Sequence, residues 1–203
     1  HAKGFNIEGL KDGIEKVYHL YEVFQVVNEE KIPCWPGPMT VEEYWNGTCK
    51  PENLHISSSW CYGNAGVMRG LQKVAGYMGW KEKEQAHVET MIRFFSQNIK
   101  TYDLYSPSLC HGFSSLVAIQ MCAYSSYRNP KLLTNLERHI QKMIAGYRKN
   151  NENELNLTDI RNKSILIEGH LNDLSILTGS VGIAITLLSL KRTTKTGKLL
   201  MID

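Results

Sequence analysis

The stretch WCYGNAGVMRGL, residues 60–71, places a cysteine just before a glycine and then runs into a small, apolar segment. The same figure returns twice. LCHGFSSLVAIQ covers residues 109–120 and ILTGSVGIAITL covers 176–187; the three align on Gly63, Gly112 and Gly179, at spacings of 49 and 67 residues. Each glycine opens a run that is apolar on nearly every side, the pattern of a helix buried all round. Between and before these runs lie amphipathic stretches. Residues 8–28 carry Ile14, Val17, Leu20, Tyr21, Phe24 and Val27 at helical spacing; 81–99 carry Val88, Met91, Ile92, Phe95 and Ile99; 131–149 carry Leu133, Leu136, Ile140, Met143, Ile144 and Tyr147. Nothing reads as a strand, and 150–173 reads as a polar loop. Glycine turn, inner helix, loop and outer amphipathic helix repeat, which predicts an all-α array. An inner ring of apolar helices within an outer ring is an α/α toroid, here with about three inner/outer repeats in a single domain over residues 1–203. In such a barrel the turns that open the inner helices gather at one end, and the residues just before each glycine face a common centre.

Composition narrows the class of partner. The chain has 203 residues, 42% hydrophobic and 21% charged, with a net charge of +3. That charge is too small, and too little clustered, to argue for a nucleic-acid partner. No run of about 18 apolar residues exists to span a membrane, and no signal-peptide pattern opens the sequence. The five cysteines are odd in number and do not form a disulfide framework, so a cytoplasmic protein with reduced thiols is expected. The chain opens at His1 and runs within a dozen residues into a helix pattern, as the C-terminal portion of a longer protein would.

Residues 30–58 differ from the rest. Pro33, Pro36, Pro38 and Pro51 and the NGT at 46–48 mark a long irregular connection, with room for one short helix at 40–45. With Trp35, Tyr44 and Trp45 it reads either as an ordered segment beside the cavity mouth, placed to touch peptide, or as a surface excursion.

The glycine turns carry the chemistry. Cys61, Cys110 and His111 all sit at mouths of inner helices. Two thiols and an imidazole are three zinc ligands, and three protein ligands with a fourth position open is the catalytic pattern. The third turn offers Thr178 at this place and supplies no ligand. The alternative is that the cysteines are small buried hydrophobes and the histidine an ordinary polar residue. Cys122 lies on an apolar helix and reads as core, Cys34 and Cys49 flank the prolines, and His19, His87 and His139 read as solvated. Of the aromatics beside Cys61, Tyr62 rather than Trp60 is placed toward the cavity.

WCYGNAG, LCHGFSSL and LTGSVGIAITLLSL, in this order, resemble the lanthionine synthetase C-like family, in particular the class I lantibiotic cyclases of the nisin and subtilin type. HAKGFNIEGLKDGIEKVYHLYEVF is similar to their outer-helix segment, so the resemblance covers essentially all residues. It implies a toroid of seven inner and seven outer helices. It implies Zn2+ held by Cys61, Cys110 and His111, with the thiol of a precursor peptide taking the open position. That thiolate adds to dehydroalanine or dehydrobutyrine and closes a lanthionine or methyllanthionine thioether ring. Tyr62 matches a family tyrosine and is a candidate catalytic residue. The family's general-acid histidine falls upstream of residue 1, so the 203 residues alone are expected to be a poor cyclase even when they hold zinc. Ser57 stands where the nisin type has arginine. The implied partners are the dehydrated precursor peptide, a dehydratase and an ABC exporter, at the cytoplasmic face of the membrane. Two other readings use similar scaffolds: a LanC-like protein that binds zinc and glutathione without cyclising anything, and zinc-activated thiol alkylation of the prenyltransferase kind.

Overall fold

The computed structural model describes residues 4, 7–54, 57–149, 157–160, 166–169, 174–191, 196–200 and 202. Its helices are α1 (Leu10–Val23), α2 (Val41–Asn46), α3 (Asn64–Met78), α4 (Lys81–Phe95), α5 (Phe113–Tyr127), α6 (Leu136–Lys149), α7 (Ser180–Ser189) and α8 (Thr196–Leu199). The three glycine runs become α3, α5 and α7, each beginning directly after its glycine. α5 packs against both α3 and α7, which makes these three the inner layer. α4 lies on α3 and α6 on α5, the outer layer. Among the described residues no helix is long and apolar enough to cross a membrane.

Burial follows the periodicity. α4 buries Val88, Met91, Phe94 and Phe95, one stripe at three-to-four spacing. α5 buries every residue from Phe113 to Gln120, as an inner helix covered on both sides must. α1 departs from this. Tyr18 is its one buried residue; Val17, Leu20 and Tyr21 on the same apolar stripe are open, Val17 at 55%. The stripe predicted a covered outer helix, and only its Tyr18 edge is covered, where the ring meets Trp80 edge-on at 4.9 Å and the hydroxyl meets His87 Nε2 at 2.6 Å.

Two expectations about secondary structure need correction. Helix α1 stops at Val23, because Val26–Val27 pairs antiparallel with Pro33–Cys34 as the hairpin β1–β2. Asn28 turns this hairpin: its Oδ1 accepts from the Glu30 and Ile32 backbone N–H groups. A second antiparallel pair, β3 (Leu157–Ile160) with β4 (Leu166–Gly169), lies within the stretch read as loop. Strands of two to four residues carry too little alternation to register as a period. α8 was likewise not expected.

The long connection is ordered by one carboxylate. Thr40 caps α2, its Oγ1 accepting from Glu43 N at 3.2 Å, while Glu43 Oε2 accepts from Thr40 N at 2.8 Å. Glu43 also accepts from Lys50 N at 2.8 Å and from Asn53 Nδ2 at 2.9 Å. The Thr40 and Lys50 N–H groups, then Asn53, hold its carboxyl down to about 2. Trp35 is buried and donates its indole N–H to Tyr21 O, whereas Trp45 is 77% exposed.

His139 is the clearest departure from the expected surface. It was read as solvated on α6, yet it is fully buried. Gln120 of α5 spends its amide donors on the Leu132 and Thr134 carbonyls, so its Oε1 accepts from His139 Nδ1–H at 2.9 Å. His139 Nε2 is buried without a hydrogen-bond partner, and the ring stands edge-on to Tyr102 at 5.0 Å. Burial holds the imidazole down to about 4. The neutral form is therefore the native one, and the unfolded chain takes up a proton near pH 6.5. Stability should be full above that pH and fall as pH drops from about 6.5 toward 4, by about 3 kcal/mol over the window. Urea unfolding at pH 7 and pH 5 checks this, and His139→Phe should flatten most of the slope.

Candidate metal centre

The site is built from the backbone of the three turns. Trp60 N donates to Cys110 O at 3.3 Å, and Cys110 N donates to Leu177 O at 2.8 Å, so the turns are bonded in sequence across the barrel end. The third turn thus supplies no ligand yet holds the second. Each turn also folds back on its own helix. Asn64 N donates to Ser57 O and Phe113 N to Ser106 O, both spanning seven residues across the glycine. This fold-back leaves no room beside the glycines: a Cβ on Gly63 would lie 2.2 Å from Ser59 N, and one on Gly112 2.1 Å from Ser106 O.

The serines in these turns were missed at the level of sequence. Ser59, Ser108 and Ser175 each stand four residues before the aligned glycine, and Ser57 and Ser106 stand six before. Ser108 Oγ accepts from His111 N, and Ser175 Oγ accepts from Thr178 N, the residue at the same place in the third turn. Ser58, Ser59, Ser106 and Ser108 are buried. The repeated Ser-x-Ser before the cysteine was a legible signal, because short hydroxyls that satisfy turn N–H groups favour such folds.

The turns bring together the three residues singled out for metal. The sulfurs of Cys61 and Cys110 and a ring nitrogen of His111 all lie within 4.8 Å of one another. Cys61 Sγ is 3.2 Å from His111 Nδ1. Ligands of a tetrahedral zinc stand roughly 3.5–3.8 Å apart, so two soft sulfurs and one imidazole at these separations fit the ion. Cys61 is exposed, Cys110 buried and His111 half-buried, so the cluster is open on the Cys61 side. The neighbouring Cys110 thiol, then the His111 imidazole, draw the Cys61 thiol down to about 5 against the opposing effect of burial. Among the described residues this is the only group of three or more His, Cys, Asp or Glu side chains so gathered. Cys34 and Cys49 are not part of it; their thiols face the Ile32 and Lys50 carbonyls.

The two aromatics flanking Cys61 go to different places. Tyr62 packs on His111, ring centroids 5.3 Å apart. Trp60 instead lines, with Cys61, a cavity of about 590 Å3 between α1 and α3, walled by Ile14, Val17, Tyr18 and Val67. The reason is that Trp60 turns its indole inward to a backbone acceptor, Leu200 O, at 2.9 Å. Among the described residues, none of the long connection lines this cavity. His1 lies outside the described residues.

Comparison with known proteins agrees with this arrangement. The chain is 24% identical over 119 residues to the nisin biosynthesis protein NisC of Lactococcus lactis subsp. lactis, an alignment covering 59% of this chain and 28% of that protein. The structure of a nisin cyclase superposes on all of this chain with a TM-score of 0.74 at 17% identity, using 46% of its own length. The chain thus spans less than half of either relative, and the shared fold is part of a helical toroid. The model of the lanthionine synthetase C-like proteins matches residues 1–201. That match covers nearly the whole chain, and the chain belongs to the lanthionine synthetase C-like family.

Proposed function

We propose that this chain carries the metal-binding half of a zinc-dependent lanthipeptide cyclase. The observation that carries the reading is the convergence of Cys61, Cys110 and His111 at the open end of the inner helices, in a chain of this family. Zinc bound there supplies a Lewis acid that keeps an incoming peptide thiol deprotonated. Cys61 and Cys110 contribute the two negative charges that balance a divalent ion, and His111 contributes a neutral nitrogen. The turn hydrogen bonds fix these donors before metal arrives, so little ordering is left to the binding step. The exposed Cys61 side leaves an approach for a peptide.

The reaction is an addition. The peptide S–H adds across a dehydroalanine or dehydrobutyrine C=C: the sulfur bonds to the β-carbon and a proton reaches the α-carbon, with no change in mass or oxidation state. Tyr62, held against His111, is the candidate proton donor among the described residues. A dehydratase to make the acceptor and an exporter to take the product are the partners that the family resemblance implies. The test is a free-thiol assay with mass spectrometry on a dehydrated precursor peptide, using the chain within its full-length protein. Loss of thiol at constant mass supports the cyclase. Metal-dependent retention of peptide or glutathione with all thiols intact identifies a binding protein instead, and a mass gain identifies an alkylating enzyme.

A further inference from the structure

The residue that joins the two layers of this site to the rest of the chain is Trp60. Its main chain is fixed on both sides. Its N–H bonds to Cys110 O, and its carbonyl lies against Gly66 so closely that a Cβ there would stand 1.8 Å away. Its side chain is fixed by a segment 140 residues further on: the indole N–H donates to Leu200 O at 2.9 Å. That segment is itself anchored. Arg69, fully buried on α3, donates from Nε to Ile202 O at 2.7 Å, and Ile202 N donates back to Gly197 O at 2.8 Å. Leu200 and Ile202 are buried, and α8 packs against α5 and α7.

We infer that α8 with Leu200 and Ile202 is a positioning element for the metal centre, acting through Trp60 on the adjacent Cys61. The physical argument is one of leverage. Cys61 is the exposed member of the donor cluster. Its place is set by the peptide unit before it, and that unit carries a side chain bonded to Leu200 O. The segment is in turn gripped by Arg69 from the same helix that Cys61 precedes. A shift of Leu200 therefore moves the indole, and the indole moves the Cys61 turn against the Cys110 turn. Hydrogen-bond partners that orient a ligand-bearing turn contribute to metal affinity nearly as ligands do. The inference rests on the reading of Cys61, Cys110 and His111 as ligands, and not on which reaction follows.

The experiment is Co2+ titration of the full chain, read by the thiolate-to-cobalt charge-transfer band and the visible ligand-field bands. Trp60→Phe keeps an aromatic ring and removes the N–H donor together with one ring of the indole. It should weaken Co2+ binding about tenfold and shift the ligand-field bands. Leu200→Ala, which changes none of the three donors, should move the same bands in the same direction. The double variant should bind no more weakly than the weaker single one, because both changes act through one link. A parent-like affinity and spectrum in Trp60→Phe, whatever its thermal stability, overturns the inference while leaving the ligand assignment intact. Full additivity of the two changes also overturns it. A parent chain that takes up no Co2+ sinks the ligand assignment and the inference together.

Discussion

Cys110→Ala should leave the protein folded and without metal. Structural zinc sites hold their ion with about 10–16 kcal/mol over four ligands, so one ligand is worth about 3–4 kcal/mol, or several hundredfold in affinity. The loss here should be at the upper end, because the site has only three protein donors and Cys110 is the buried one. A buried thiol has no alternative position from which another side chain could replace it. After dialysis against trace zinc, elemental analysis should read about one equivalent in the parent and under a tenth in the variant. Circular dichroism should be unchanged, because alanine fills most of the small space and the Cys110 N–H and C=O bonds to Leu177 and Trp60 are kept. Cys34→Ala and Cys122→Ala, whose sulfurs lie outside the cluster, should retain the full equivalent. Full zinc in Cys110→Ala, or its loss in both controls, would remove the assignment of the site.

Gly66→Ala should be the most destabilising single methyl group in the chain. The added Cβ would lie 1.8 Å from Trp60 O and 2.8 Å from the carbonyl carbon behind it, both backbone atoms that cannot rotate away. Gly182 stands at the same place in the third repeat, with its Cβ 1.9 Å from Ile176 O. These glycines let the turn lie directly on the first turn of the inner helix, which is how the donors reach the barrel end. Relief needs the turn to lift, at about 3 kcal/mol or more, which corresponds to a fall of roughly 10 °C in Tm for a chain of this size. Gly70→Ala, on the same helix, is the control. Nothing lies within 4 Å of its added Cβ, so helix propensity alone should raise stability by about 0.5–1 kcal/mol. Thermal melts of the two variants should therefore move in opposite directions, and a Gly66→Ala melt within a degree or two of the parent would show that the turn is not pressed against the helix.

The sequence by itself determined the inner helices and the residues that open them. Their starts at Gly63, Gly112 and Gly179 were legible because an all-round apolar run after a glycine has few other solutions. The donors Cys61, Cys110 and His111 were legible because they occupy one place in a repeated turn. Even the serines that fold those turns were present as a repeat, though it went unread. These are local facts: dihedral preferences, short hydrogen bonds and a period of 3.6 act over a few residues and are written in order along the chain. The tertiary structure decided what meets across distance. His139 shares the helical placement of the exposed His19, and only Gln120 on the neighbouring inner helix makes it a buried neutral base. The stripe of α1 is apolar enough to be core, yet Val17 and Tyr21 border an open cavity, because α1 is covered at its Tyr18 edge, against Trp80 and His87. Trp60 reads as one more packing aromatic until Leu200 arrives beneath it from 140 residues away. Such adjacency is set by how whole surfaces pack, and a pattern of a few residues carries no record of which surface will face it.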